Sequence, residues 1–378
     1  MTMKSTSPSV TVVAASLEIL GGQGVQARAL VDALRNDGGD AALVVINPRF
    51  PRGFRWLRRV PYVRTAVNQM MYLPSLARLA ACDVAHVFSA SYASFLLAPV
   101  PAMLAARMLN KRVVLHYHSG EAEDHLEHWG PLVHPWLRLA DEIVVPSAYL
   151  ERVFARYGYH VRVIPNFVDL VSFRYRERRP LTPKFLSTRN LEAYYGVDVL
   201  IKAFARYQQN DPLATLTIAG YGSQESKLRS LAKRVTDRGI EFVGRVEPAG
   251  MPRLYDEADI FLNASVVDNQ PVSILEAFAA GLPVISTPAG DIPSMVRENE
   301  TGLIVPSDDP RAMAAAMVAT LERRERALDM AARAHEELSR FTWPAVRDAW
   351  TAVYAEAHES KVEGQRSKVD AGYLSIYR

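Results

Sequence analysis

The stretch that decides the fold is Asp259–Asp291, which reads DIFLNASVVDNQPVSILEAFAAGLPVISTPAGD. Its short apolar run, Ile260–Asn263, predicts a buried parallel strand. A polar loop containing Pro271 follows, and proline suits the first turn of a helix. The helix is predicted over Val272–Ala280 and ends at Gly281, because glycine readily takes the left-handed conformation. Since another apolar strand is predicted directly afterwards, the stretch indicates a parallel α/β sheet.

Two acidic residues flank the start of this helix. Asp268 lies in the loop before it, and Glu276 lies about one turn inside it. Both side chains can face the crevice at the carboxyl end of a parallel sheet, where open α/β sheets bind ligands. The helix N-terminus supplies free N–H groups and a partial positive charge, which suit an anion. The alternative is an ordinary helix–strand pair with two solvated acids.

At these residues the chain resembles the retaining glycosyltransferases of family 4, which have the α/β GT-B architecture of two doubly wound Rossmann-like domains facing a central cleft. The resemblance rests on Asp268 and Glu276, on the small-residue helix, and on the Gly-x-Pro-Val strand that follows. It implies that Glu276 binds the ribose of a nucleotide and that Asp268 holds the donor sugar, although family members usually have Glu at the first position. It also implies that the following loop binds the donor through Asn269, Gln270, Pro271, Val272 and Ser273.

The length of 378 residues exceeds the usual size of one hydrophobic core, so two domains are expected. We expect an N-terminal acceptor-binding domain over residues 1–172, a charged linker over 173–183 and a nucleotide-sugar-binding domain over 184–341. A helix over 342–358 is expected to cross back to the first domain, before a polar, disordered tail over 359–378. The single cysteine, Cys82, and the lack of an apolar leader favour a cytoplasmic protein.

Positive charge is concentrated in one segment of the first half. Between Arg49 and Arg112 there are ten Arg or Lys residues and one acid, although the net charge of the chain is only +3. Basic and aromatic side chains alternate from Arg49 to Arg64, a pattern that suits an anionic membrane surface at the inner face of the membrane or a lipid-linked acceptor. A solvated loop is the alternative, and no nucleic-acid motif accompanies the segment. The residues assigned to acceptor or membrane contact are Arg49, Arg52, Arg55, Trp56, Arg58, Arg59 and Glu121.

A glycine-rich turn follows the first predicted strand, Val10–Ala15. Gly21, Gly22 and Gly24 precede a helix predicted over Val25–Arg35 and would let a ligand approach the backbone. The spacing is not Gly-x-Gly-x-x-Gly, so nicotinamide binding is not favoured. The family resemblance implies that this turn lies beside the donor phosphate and the acceptor.

Histidines cluster at the end of the predicted strand Val113–His118. Five of the nine histidines lie between His116 and His134. Their spacing matches no standard metal site, so no metal is expected. The resemblance implies that His118 contacts the donor sugar near the reacting carbon. Glu121 either lines the acceptor cleft or caps the next helix.

The second half contains the residues that the family uses to hold the donor diphosphate. By resemblance, Arg189 matches the family's arginine, whereas Tyr195 stands in the place of its lysine and brings no positive charge. Gly220 matches the turn beneath the nucleotide, and Gly244 and Arg245 lie where family members bind the base.

Together these features predict a retaining, metal-independent glycosyltransferase. It would move a sugar from a nucleotide-diphospho-sugar, a co-substrate, to a glycan, lipid-linked or small-molecule acceptor, and it would need no cofactor. A binding or scaffold protein that has lost transfer is the alternative suggested by Tyr195 and Asp268. An epimerase on a related fold is a third and less favoured hypothesis.

Overall fold

The computed structural model describes residues 7–16, 22–48 and 61–355. The described chain forms two parallel six-stranded sheets, one in each half, with helices on both faces. This is the predicted α/β class with two doubly wound units. Gly21, the tail over 359–378 and most of the basic–aromatic segment lie outside the described residues. The predicted acceptor or membrane contacts that lie there are Arg49, Arg52, Arg55, Trp56, Arg58 and Arg59.

The first sheet has the strand order β2-β1-β3-β4-β5-β6. Its strands are β1 Val10–Ala14, β2 Ala41–Val45, β3 Val84–Phe88, β4 Arg112–His116, β5 Glu142–Val145 and β6 Arg162–Val163. Its helices are α1 Gly22–Asn36, α2 Pro61–Ser75, α3 Tyr92–Leu97, α4 Pro99–Met108, α5 Ala122–His128, α6 Gly130–Leu137 and α7 Ala148–Ala155. Because the order reverses between β1 and β3, a crevice opens there at the carboxyl ends of the strands.

The second sheet has the strand order β12-β11-β10-β7-β8-β9. Its strands are β7 Lys184–Ser187, β8 Thr215–Ala219, β9 Ile240–Gly244, β10 Ile260–Leu262, β11 Val284–Ser286 and β12 Leu303–Ile304. Its helices are α8 Val197–Gln208, α9 Glu225–Val235, α10 Met251–Glu257, α11 Val272–Ala280, α12 Ile292–Met295, α13 Pro310–Glu322 and α14 Arg324–Glu336. The order reverses between β7 and β10, so the crevice of this half opens beside the loop after β10.

The stretch Asp259–Asp291 folds as predicted. Its helix, α11, spans the predicted residues Val272–Ala280, and Gly281 ends it with a φ of 77°. A Cβ at Gly281 would lie 2.7 Å from the ring of Tyr175, so the position requires glycine for space as well as for backbone conformation. The helix is buried on nearly all sides because the second sheet and α14 cover it.

A last helix, α15, occupies residues 343–355 and packs on the first sheet. Val346, Trp350 and Val353 join the core that contains Val10 and Val12 of β1. Apolar residues at three- and four-residue spacing form this buried face. The chain therefore ends its described part on the half in which it began.

The predicted start of α1 differs from the structure. Helix α1 begins at Gly22 instead of Val25, so Gly24 lies inside its first turn and is buried. Glycines are compatible with both a turn and the start of a helix, so the sequence does not distinguish between these two structures. The apolar segment 84–106 folds as strand β3 and then helices α3 and α4, with Ala98 between the two helices. None of the helices in the described residues is both long enough and apolar enough to cross a membrane.

Candidate active site

A cleft of about 680 Å³ lies between the carboxyl ends of the two sheets. Its walls come from α1 and the loops after β3, β4 and β6 of the first half, and from the loops after β7, β8, β9 and β10 of the second. Most of the residues that the sequence singled out meet there. Those that line the cleft are Gly22, His118, Glu121, Arg189, Gly220, Asp268, Asn269, Gln270, Pro271, Val272, Ser273 and Glu276.

Three residues expected to bind the donor do not line this cleft. Gly24 is buried within α1, where it faces the protein instead of a ligand. Gly244 ends β9 with a φ of 70° and has a structural role in the turn. Arg245 extends from that turn, and its guanidinium pairs with Glu247 at 2.9 Å. Since the turn after β9 points these residues away, it contributes Val246 to the cleft instead.

The N-terminus of α11 opens into the cleft. Pro271 is its N-cap residue and has no cap hydrogen bond from a side chain. The first amides of the helix are therefore not satisfied by a capping side chain, as an anion-binding helix N-terminus requires. Gly22, at the start of α1, approaches this point from the other half, since a Cβ there would lie 3.8 Å from the Val272 side chain.

Arg189 and Asp268 form a buried ion pair in the cleft. The guanidinium donates to Asp268 Oδ2 at 2.5 Å and to Ser273 Oγ at 3.1 Å. Their side chains are 10% and 11% exposed, so water screens the pair weakly. Burial lowers the pKa of Arg189, but the charge of Asp268 and the nearby tyrosine hydroxyls together outweigh it, and the pKa is raised. Arg189 is therefore held as a cation.

The ring of Tyr195 packs against the guanidinium of the same arginine. The guanidinium carbon stands 4.1 Å from the centre of the Tyr195 ring, which is cation–π geometry. Burial raises the pKa of the Tyr195 hydroxyl, so the side chain stays neutral. The lysine expected from the family pattern is thus replaced by a ring that orients Arg189 and adds no charge.

Glu276 lies one turn inside α11 and faces the same cleft. Its Oε2 accepts a hydrogen bond from the Tyr255 hydroxyl at 2.7 Å, and Thr188 lies 2.7 Å from that hydroxyl. Burial raises the pKa of Glu276 to about 7, although the Tyr255 hydrogen bond and Arg189 oppose the rise. The carboxyl group therefore changes charge near neutral pH. Sequence reasoning did not find Tyr255, because its apolar helical spacing indicates only a core residue.

His118 belongs to a buried group of aromatic rings at the end of the first sheet. Its ring stacks on Phe88 with centroids 4.9 Å apart, and His116 lies 4.0 Å away. His116 Nδ1 lies 3.2 Å from His86 Nε2, and His86 in turn contacts the Tyr354 hydroxyl of α15. Burial lowers the pKa of His118 to about 3, so it is neutral at physiological pH. No described protein group bonds its buried Nε2.

The loop after β10 also joins the two halves. The side-chain amide of Asn269 donates to the His118 carbonyl at 3.3 Å and accepts from the Ser147 hydroxyl. Gln270 Oε1 accepts from the backbone N–H of Asn166 at 2.6 Å, and the Asn166 side chain donates to the Gln270 carbonyl at 2.9 Å. The side chains of Asn269 and Gln270 thus face the first half, while their backbone borders the cleft.

The two halves approach closely beside this loop. A Cβ on Gly120 would lie 2.5 Å from the Asp268 carbonyl oxygen, closer than any side chain tolerates. Gly120 therefore lets the loop after β4 touch the loop after β10. No group of three or more His, Cys, Asp or Glu side chains in the described ranges is arranged to hold a metal ion.

Two family models match the chain, one in each half. The model for Glycosyltransferase Family 4 matches residues 20–172, and that for Glycosyl transferases group 1 matches residues 182–323. Together the two matches account for more than half of the chain. The chain belongs to these glycosyltransferases.

Several characterised proteins resemble this glycosyltransferase. A Mycobacterium tuberculosis glycogen synthase is 29% identical over 281 residues, which are 70% of this chain and 68% of that protein. A Corynebacterium efficiens D-inositol 3-phosphate glycosyltransferase is 29% identical over 181 residues, which are 46% of this chain and 43% of that protein. These relatives differ from one another in acceptor by name, so the family alone does not give the substrate.

Solved structures show the same GT-B fold. The sucrose-phosphate synthase of Thermosynechococcus elongatus has a TM-score of 0.71 at 18% identity and covers 93% of this chain and 100% of its own. The Anabaena protein HepE in complex with UDP-glucose gives the same TM-score, identity and coverages. At this identity the likeness establishes the architecture of the glycosyltransferase and not its ligands.

Proposed function

We propose that the protein is a retaining glycosyltransferase that uses a nucleotide-diphospho-sugar. One observation carries the proposal: Arg189, Asp268, Glu276 and the N-terminus of α11 face one cleft, with His118 on its opposite side. A cation and a helix N-terminus suit a diphosphate, and a carboxylate suits ribose hydroxyls. The Anabaena relative of known structure was solved with UDP-glucose, which fits a donor of this class.

The proposed roles follow from the contacts. Arg189 and the first amides of α11 stabilise the charge that develops on the leaving diphosphate. Glu276 accepts hydrogen bonds from the ribose hydroxyls, and Asp268 orients the donor sugar. His118 is neutral and buried, so it supports the reacting centre by a hydrogen bond and not by charge.

In the proposed reaction the bond between the anomeric carbon and the diphosphate oxygen breaks. A bond from that carbon to the acceptor oxygen forms on the same face of the sugar. The proton of the acceptor hydroxyl passes to the departing phosphate, which leaves as a nucleoside diphosphate. The protein contributes position and charge stabilisation instead of a separate base or a metal ion.

The first experiment is a donor panel. The purified full chain is incubated with UDP-, GDP- and ADP-sugars, and free nucleoside diphosphate is measured with and without added acceptors. Release from one donor would identify the base and the sugar, and NMR of the product anomer would test retention. No release, together with no nucleotide binding in calorimetry, would contradict the proposal.

A binding or scaffold role is the second candidate function. It is motivated by Asp268, which already neutralises Arg189, and by Tyr195 in the lysine position. In this hypothesis the cleft binds nucleotide but does not cleave the donor. Tight nucleotide binding with no turnover across a broad acceptor panel would favour it over transfer.

Attachment to an anionic membrane is a further part of the proposal. Helix α2 exposes Tyr62 (90%), Met70 (75%) and Leu73 (48%) along one side, and it follows directly on the basic segment. Exposed apolar residues beside cations suit the surface of an anionic bilayer. Flotation with anionic and neutral liposomes tests this. Met70→Glu should reduce binding to anionic liposomes, whereas Leu213→Glu, an exposed site on the second half, should not.

A further inference from the structure

Glu121 is the acid that the first half presents to the cleft beside the proposed reacting centre. It follows Gly120 and stands at the N-cap position of α5, where its side chain is partly buried. Burial and the charge of Asp124 raise its pKa, while the Tyr92 hydroxyl opposes the rise. None of the described arginines or lysines forms an ion pair with Glu121. The carboxylate is thus placed in the cleft without a balancing charge.

The cleft around Glu121 is acidic. Arg189 is the single Arg or Lys among the described residues that line it, and its charge is matched by Asp268. His118 adds no positive charge because it is neutral. Asp169 already accepts from Val171 and Ser172, and the proposed function assigns Glu276 to the ribose of the donor. Glu121 is then the carboxylate available to a ligand on the first-half side.

Two tyrosines lie near Glu121: burial and nearby charges that include Glu121 raise the pKa of both the Tyr92 and the Tyr194 hydroxyls. Tyr92, from the first half, has a φ of 53°, a conformation that costs energy for a residue with a bulky side chain. Its hydroxyl donates to Asp124 at 2.7 Å, and its ring meets the edges of His125 and Trp129 at 5.3 and 5.8 Å. Tyr194 lines the cleft from the second half. The Tyr92 ring is therefore held rigidly at the cleft wall.

A carboxylate close to two tyrosine side chains is an arrangement that suits an ammonium group. The carboxylate makes a charge-assisted hydrogen bond, and the rings attract the cation through their electron-rich faces. A phosphorylated acceptor would instead meet uncompensated negative charge on this side of the cleft. The unbonded Nε2 of His118 lies in the same wall and offers a further polar contact to a bound acceptor.

We propose that the acceptor is a sugar or cyclitol that carries a protonated amine, which Glu121 binds close to Tyr92 and Tyr194. The inference rests on the proposed transferase function and names its substrate class. The amine is recognised and does not react, since the sugar is transferred to a neighbouring hydroxyl. Glu121 sets acceptor specificity and has no part in donor cleavage.

Matched acceptor pairs test the proposal. The full chain, with the donor identified as above, is offered glucosamine and glucose, galactosamine and galactose, and an amino-deoxy-inositol and inositol. The amine member should be preferred at least tenfold in kcat/KM, or should protect the protein from thermal unfolding at concentrations at which its partner does not. Glu121→Gln should raise KM for the amine roughly ten- to a hundredfold, the loss expected for one charged hydrogen bond.

Glu123→Gln is the matched control, because Glu123 lies on the same helix, pairs with Arg156 and does not line the cleft. It should leave both members of each pair unchanged. No amine preference in turnover or in thermal protection would overturn the proposal, as would equal loss for both members in Glu121→Gln. Release of nucleoside diphosphate tests the transferase function separately: no release with any acceptor would contradict transfer, whereas equal release with both members of every pair would contradict only the amine preference.

Discussion

The guanidinium of Arg189 lies between the carboxylate of Asp268 and the face of the Tyr195 ring, 4.1 Å from the ring centre. The arginine is thus fixed by a charge on one side and an aromatic face on the other. Tyr195 stands where the family has a lysine. It adds no charge, but its ring orients the cation that remains, Arg189. We therefore expect transfer to depend on the ring of Tyr195 and not on its hydroxyl.

Tyr195→Phe should therefore keep donor turnover near that of the wild type. Tyr195→Leu removes the cation–π contact, worth roughly 0.5–2 kcal/mol, and should lower turnover about two- to thirtyfold. The rate of nucleoside diphosphate release from the identified donor is the measurement. An equal loss in both variants would assign the effect to the hydroxyl.

Arg189→Ala should lower turnover roughly a hundredfold or more, the loss typical of removing one group that stabilises transition-state charge. It also leaves Asp268 buried without its partner, so the free energy of unfolding should fall. Single-turnover kinetics and denaturant unfolding measure the two effects. Arg253→Ala is the control, because Arg253 is 79% exposed and pairs with Glu257 outside the cleft. Wild-type rates in Arg189→Ala would remove this residue from the mechanism.

Glu276 should make stability depend on pH. Its pKa is raised from 4.5 to about 7, so between these values the folded protein holds a proton that the unfolded chain has lost. The free energy of unfolding contributed by Glu276 therefore falls as pH rises through this window. Glu276→Gln should raise stability by about 1–3 kcal/mol near pH 8 and change it little near pH 4.5. Urea unfolding at both pH values decides this, and a gain of the same size at both would contradict it.

Asn269→Ala should weaken the connection between the halves. It leaves the Ser147 hydroxyl and the His118 carbonyl without their partner, which costs about 1–3 kcal/mol when such groups stay buried. We expect a higher donor KM and a larger radius of gyration in X-ray scattering. Asn210→Ala, at an exposed site on the second half, is the control and should show neither change. An unchanged radius with a raised KM would assign Asn269 to donor contact alone.

The sequence predicted α11 to the residue because its boundary signals are local. Pro271 precedes the first turn, and Gly281 is required by both its φ and the nearby Tyr175 ring. The start of α1 was wrong, because a glycine-rich turn fits both a loop and a helix start. The order of the strands in each sheet could not be predicted from the sequence, because it depends on which strands pair across long separations along the chain.

The residues of the candidate site also divide into those that the sequence predicted and those that it missed. Arg189, Asp268 and Glu276 were predicted because they lie in short motifs with recognisable spacing. Asn166 and Ser147 were missed, because they meet the loop after β10 only when the two sheets face each other, across 104 and 122 residues of sequence. Whether a hydrogen bond forms over such a distance is decided by the packing of the halves, which no local pattern reports.

Helix α15 has a consequence for the order in which the protein is made. Val10 and Val12 of β1 belong to a core that also needs Val346 and Trp350. During synthesis from the N-terminus this apolar face has no cover until the ribosome has produced the whole second half. The first half therefore emerges early but is completed last. The nascent chain is most prone to aggregation in the interval before α15 docks.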